Sequence, residues 1–247
     1  MSIKNALEAR WMEVLQWVQS DNLAELRDFI NCNSPTKFNN ELHKRRLNDL
    51  LRAAANRDCE NCVQYLAQEL GGDIHHVEHN QTATTLVLAI YCKDKKRRAG
   101  MFKALMGLAD SNTLDERAPE WTRALRATLL IGDDEIFGDL AAFIGPRRLS
   151  EWLDCISDPD GDDAWRLAAL GGNIKMASIL LAIPAMRARF DEARSPSGHD
   201  LANFAHDAGQ FDFARDLLCL VAAERDQEAL ENACPAAKAG RGPNGRI

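Results

Sequence analysis

Residues 51–90 read LRAAANRDCENCVQYLAQELGGDIHHVEHNQTATTLVLAI. A helical run containing Ala53, Ala54 and Ala55 meets a polar break at residues 56–58. A second helical run follows over residues 59–70, and Gly71 and Gly72 stop it because glycine tolerates the left-handed conformation of a helix C-cap. Asp73, Ile74 and His75 then form a short polar segment, before Thr84, Thr85, Leu86, Val87, Leu88 and Ala89 open the next apolar run. The unit is helix, tight turn, helix, extended loop.

The unit recurs. A small or apolar residue four positions before each turn falls at Trp17, Ala54, Ala89, Thr128, Ala168 and Ala205, with spacings of 37, 35, 39, 40 and 37 residues. Four positions on, the turn residue is Asp21, Asp58, Lys93, Gly132, Gly172 or Gly209, and all but Lys93 suit a tight polar turn. Three positions before the marker lies an apolar column one helical turn away: Val14, Leu51, Leu86, Leu125, Trp165 and Ala202. The second helices carry apolar stripes of their own, such as Leu23, Leu26, Phe29 and Ile30, or Ile136, Phe137 and Leu140. Each pair has one buried stripe and cannot stand alone, so neighbours are expected to stack into a continuous core.

Composition agrees with helices. Of 247 residues 46% are hydrophobic and 27% charged, inside the globular range, and aromatics make up only 6%. Ala and Leu are abundant, which favours helix over sheet. We therefore expect an all-α helical repeat solenoid of helix-turn-helix units joined by short hairpin-like loops. The expected units are 3–38, 39–80, 81–115, 116–157, 158–196 and 197–234 within one domain, 1–234. A helix over residues 223–233, with Glu224, Arg225, Asp226, Glu228 and Glu231 exposed, is expected to cap the last unit. Residues 235–247 hold 3 Gly and 2 Pro with little to bury, so a disordered tail is expected there.

Thr84, Leu86 and Ala89 keep part of the Thr-Pro-Leu-His-x-Ala opening of the ankyrin repeat, with Thr85 for its Pro and Val87 for its His. Gly72, Asp73, Ile74 and His75 look like that family's hairpin lead-in. Ala168, Ala169, Gly172 and Asn173 look like its helix-turn-helix corner, echoed by Gly209 and Gln210. Over residues 6–221 the chain thus resembles the ankyrin repeat family, in about six degenerate units. The resemblance implies a stacked array that binds a protein on its concave face, through loop tips and the exposed side of the first helices. Two departures stand out. The apolar pattern Met101, Phe102, Leu105, Met106 starts about four residues late, so residues 93–98 read as an enlarged corner. Pro146 with Leu149, Trp152, Leu153 and Ile156 reads as an extra short helix, Pro at its first turn.

Thirty basic against 37 acidic residues give a net charge of −7, which argues against a general polyanion binder and hence against nucleic acid. No signal-like N-terminus and no apolar run of membrane-spanning length is present in the sequence, so a cytoplasmic chain with no membrane contact is expected. Delivery into a host cell cytosol is compatible with this. Seven cysteines, an odd number, read as reduced core thiols.

Cys59, Cys62, His75 and His79 have the spacing of a two-Cys, two-His zinc finger. The cysteines sit near the start of a predicted helix and the histidines beyond its far end, about 18 Å away for twelve residues. Buried helix cysteines are read ahead of a metal site, and no cofactor is expected. Asp158, Asp160 and Asp162 lack the Gly and Glu placement of a calcium loop. The second basic cluster, Lys44, Arg45 and Arg46 after His43, reads as the exposed side of a helix.

Lys95, Lys96, Arg97 and Arg98 form the densest basic cluster: first a solvated loop, next a site for an acidic patch on a partner or an import-like signal. His75, His76, His79 and Asn80 fall on the loop tip the resemblance marks for recognition, against the alternative of a merely solvated loop. Trp121 is an interface anchor if exposed and core otherwise. These nine residues are the candidate partner-binding set. No phosphate loop, nucleophile elbow or metal-binding helix motif is found in the sequence. The expected function is a non-enzymatic protein-interaction module, an effector or adaptor that is monomeric when unbound. The rivals are a modifying enzyme or its recognition part, and an inhibitory subunit.

Overall fold

The computed structural model describes residues 10–32, 41–76, 83–156, 163–193 and 200–233. These residues form fourteen α-helices and no β-strand. Among them no helix is long and apolar enough to cross a membrane. The chain divides into two compact units, Met1–Ile156 and Ser157–Ile247.

In the first unit helices come in pairs. These are α1 (Trp11–Gln19) with α2 (Leu23–Cys32), α3 (Glu41–Asn56) with α4 (Glu60–Gln64), α5 (Thr85–Ile90) with α6 (Lys95–Met106), and α7 (Ala118–Ile131) with α8 (Asp134–Ile144). A π-helical turn, Tyr65–Glu69, prolongs α4. First helices pack on first helices, α1 on α3, α3 on α5 and α5 on α7, while α4 packs on α6. The apolar column explains why: Val14, Leu51, Leu86 and Leu125 are at most 1% exposed. Burying a side chain of this size contributes roughly 1.5–3 kcal/mol, so each pair draws stability from its neighbour. The extra helix expected after Pro146 is α9 (Pro146–Cys155), with Pro146 in its first turn; it packs on α7 and α8.

The turn column has a backbone cause. Asp21, Asp58, Gly132, Gly172 and Gly209 all have positive φ, between 54° and 83°. In four corners the marker carbonyl accepts the N–H five residues on: Trp17 from Asn22, Ala54 from Cys59, Thr128 from Asp133, and Ala205 from Gln210. That bond and the left-handed residue beside it make a Schellman-type helix end. At five of the six corners the marker is small and fully buried: Ala54, Ala89, Thr128, Ala168 and Ala205; Trp17 is the exception.

The third corner differs, as its Lys93 suggested, but no enlarged loop forms there. Helix α6 begins at Lys95, with Asp94 as N-cap accepting the Arg97 N–H at 3.0 Å. The cap satisfies the free donors of the first turn, so the helix starts before its apolar stripe does. Residues 95–98 are therefore helical, not loop.

The second unit holds α10 (Ala164–Gly171), α11 (Ile174–Leu181), α12 (Pro184–Ala193), α13 (Asp200–Asp207) and α14 (Phe211–Ala233). Helices α10 and α13 pack together, as do α11 and α14. The chain does not break between the last second helix and the expected cap: α14 runs as one helix of 23 residues, and no Gly or Pro interrupts it. Helix α12 was not foreseen. Met186 and Phe190, one turn apart and both buried, fix it: the Trp165 indole N–H donates to the Met186 carbonyl at 3.0 Å and its ring meets Phe190 at 4.7 Å. The tail, 235–247, lies outside the described residues.

Candidate functional site

The corners are tied to one another by side chains. Asp21, held in the left-handed region, accepts the Cys62 N–H at 2.9 Å and the Asn61 side-chain amide at 2.8 Å, at the start of α4. The Asp58 carbonyl accepts from the Arg97 guanidinium at 3.4 Å. On the next corner, Asp133 caps α8 by accepting the Ile136 N–H, and its other oxygen lies 2.9 Å from Arg98 Nε. Their side chains are 2% and 12% exposed, and the contact is ionic rather than a directed hydrogen bond. Lys95 reaches Glu135 at 3.3 Å, a solvent-facing pair of little energetic weight. In the second unit Gln210 donates to the Leu170 carbonyl at 2.8 Å.

The basic cluster is thereby divided. Lys95, Arg97 and Arg98 join adjacent pairs; Lys93, Lys96 and Lys103 stand exposed. Asp94 sits among them, its carboxyl held below the usual range first by the Arg97 backbone N–H. Of the second cluster, Lys44 and Arg45 are exposed on α3, and Arg46 stacks over Trp11 at 4.6 Å.

Trp121 is not an interface anchor. It is fully buried in the first turn of α7, between His75, whose ring meets it edge-on at 4.9 Å, and Phe143 at 5.1 Å. His75 and His76 are half-buried, and His76 Nε2 lies 3.4 Å from Asp49. Burial, reinforced by Arg117, pushes the His75 imidazole below its ordinary value, with Asp73 and Glu120 opposing. His79 and Asn80 lie outside the described residues. The structure does not bring the histidines and the basic cluster together: Trp121 begins α7 and Asp133 follows its end, twelve residues or about 18 Å along one helix.

Cys59 and Cys62 are buried beside Asp21, and burial first, then Asp21, raises both thiols, Cys62 to about 12. Such thiols are poor nucleophiles and poor ligands. Among the described residues no group of three His, Cys, Asp or Glu side chains is arranged to hold a metal ion. A cleft of about 420 Å³ lies where α8 meets α9, lined by Asp115, Gly145, Arg147, Arg148 and Glu151. Arg148 closes one wall by a bidentate pair to Asp115, at 2.6 and 2.8 Å.

The corner acids Asp21 and Asp133 were not among the candidates. Their signal was present: Asp21 shares a column with Asp58, and Asp133 directly follows Gly132 at a helix start. No family model, curated protein or solved structure matches this chain.

Proposed function

We propose that the chain is a non-enzymatic protein-interaction module, built of divergent ankyrin-like helix pairs, that holds a cytosolic protein through an acidic patch on that protein. The observation that carries this reading is the division of the basic cluster. Lys93, Lys96 and Lys103 stay exposed on and beside a capped helix, while Arg98 ties that helix to the adjacent pair through buried Asp133. Cations displayed on an already ordered surface lose little conformational entropy when they meet a partner, and complementary charge speeds encounter. The histidine loop is less suited to the role, because His75 and His76 are engaged with Trp121 and Asp49. An adaptor or effector role fits such a module.

The test uses the intact chain as bait in cytosolic lysate beside the triple variant Lys93→Glu, Lys96→Glu, Lys103→Glu. One unmodified protein retained in stoichiometric amount by the parent and lost by a variant of unchanged circular dichroism is the expected result. A retained protein that emerges covalently altered overturns the non-enzymatic reading, and equal retention by both baits overturns the basic face.

A further inference from the structure

Residues 72–76 form a short strap across three first helices. The Asp73 N–H donates to the Asn48 side chain on α3 at 2.9 Å, and buried Ile74 accepts the Leu86 N–H of α5 at 3.1 Å. His75 closes the strap onto α7 by its edge contact with Trp121. Asp73 folds back to accept the His75 N–H at 2.9 Å, and the Arg117 guanidinium lies 4.0 Å from the same carboxylate.

The polar atoms at this point are poorly matched. His75 Nδ1, Glu120 Oε2 and the indole N–H of Trp121 are buried with no hydrogen-bond partner, although almost all buried polar atoms in folded proteins have one. A neutral imidazole tolerates this place because it packs on Trp121 as a flat apolar surface. A protonated ring brings a second buried N–H and a full charge. The charged groups facing it are Arg117, which repels it, and Asp73 and Glu120, which attract it. The Asp73 carboxylate already accepts the His75 backbone N–H and faces Arg117, both at the same oxygen.

We propose that His75 is a proton-operated latch: protonation frees the strap from Trp121 and loosens the seam between α3, α5 and α7 in mildly acidic solution. The direction follows from linkage. The folded chain holds the His75 proton less tightly than the unfolded chain does, so the latch contributes fully above the ordinary histidine value of about 6.5. Its contribution is lost as the pH falls from there toward the folded value.

Amide hydrogen exchange of Leu86, whose N–H is held by the Ile74 carbonyl, reads the strap directly. It is measured on the full chain at about pH 7.5 and about pH 5.5, on either side of the ordinary histidine value, and corrected for the intrinsic rate. The expected result is several-fold faster exchange in acid for the parent. His75→Phe, which keeps a ring against Trp121 without a titrating proton, and His75→Gln are expected to lose that pH dependence. Equal protection of Leu86 at both pH values overturns the latch, as does unchanged acid loosening in folded variants, which would assign it to another group. Should neither variant fold, the His75 imidazole resonance is followed by NMR in the parent. A midpoint below the ordinary value that coincides with Leu86 loosening supports the latch; a midpoint at or above it overturns the proposal.

Discussion

Arg98 Nε and Asp133 Oδ2 lie 2.9 Å apart, and the two side chains belong to successive helix pairs. Asp133 also caps its own helix, so one carboxylate satisfies a helix start and a neighbour's guanidinium. Removing either partner leaves the other charge buried, which costs more than the intact pair contributes. Asp133→Ala is therefore expected to lower stability by about 3–5 kcal/mol. Arg98→Met is expected to be destabilising too, and the double variant to lose clearly less than the sum. Urea unfolding of the four proteins in a double-mutant cycle checks this; additive losses would show that the two groups do not interact.

The same pair separates folding from binding in the basic cluster. Arg98→Glu faces a buried carboxylate and is expected to lower the melting temperature. Lys93→Glu with Lys96→Glu changes only exposed side chains and is expected to melt within a degree or two of the parent, since surface substitutions usually shift stability by about 0.5 kcal/mol or less. Scanning calorimetry of both variants tests the assignment, and similar melting of the two would contradict it.

Gly172 answers to two demands. Its φ of 68° disfavours any side chain, and a Cβ there would run into the Gln210 side-chain oxygen. Gly172→Ala should cost more than the roughly 1 kcal/mol of backbone strain alone, because Gln210 must also give up its bond to Leu170. Adding Gln210→Ala is expected to relieve the steric part. Chemical denaturation decides it: a cost for Gly172→Ala that is unchanged in the Gln210→Ala background refutes the contact.

Asp21 presents the opposite case, since φ is 54° and yet the residue is not glycine. Asp21→Gly relieves the backbone but removes the acceptor for Cys62 and Asn61, and a lost cap costs roughly 0.5–2 kcal/mol. Net destabilisation is expected on thermal unfolding, with Asp21→Asn milder because one oxygen remains. A more stable Asp21→Gly protein would mean that the side chain contributes nothing.

Thiol chemistry follows burial. Cys32, Cys155 and Cys219 are exposed and should react with an aromatic disulfide reagent in the native protein, while Cys59, Cys62 and Cys92 should wait for unfolding. With the Cys62 thiol raised from 9.0 to about 12, the folded chain keeps a proton that the unfolded chain releases. Stability is thus expected to fall as the pH rises through that window. Prompt labelling of Cys62, located by peptide mapping, would contradict its placement.

The sequence alone determined that the chain is helical, that its helices pair, and where five of the six corners turn. Those features are local. A left-handed residue after a helix needs Gly or a short polar side chain, and a small or apolar marker four positions earlier leaves a period that can be counted. The extra helix at Pro146 was legible for the same reason, and α12 could have been, from Pro184 with Met186 and Phe190 one turn apart.

Only the tertiary structure decided which charges and aromatics face outward. Arg98 reads as one of four solvent-facing cations and Trp121 as either core or anchor, because composition marks a residue as polar or anchoring but does not say which distant residue will meet it. Arg98 became internal through Asp133, and Trp121 through His75 and Phe143. A repeat's period fixes the spacing of its units. What each side chain does depends on the neighbouring unit that covers it, and that contact is made only when the pairs stack.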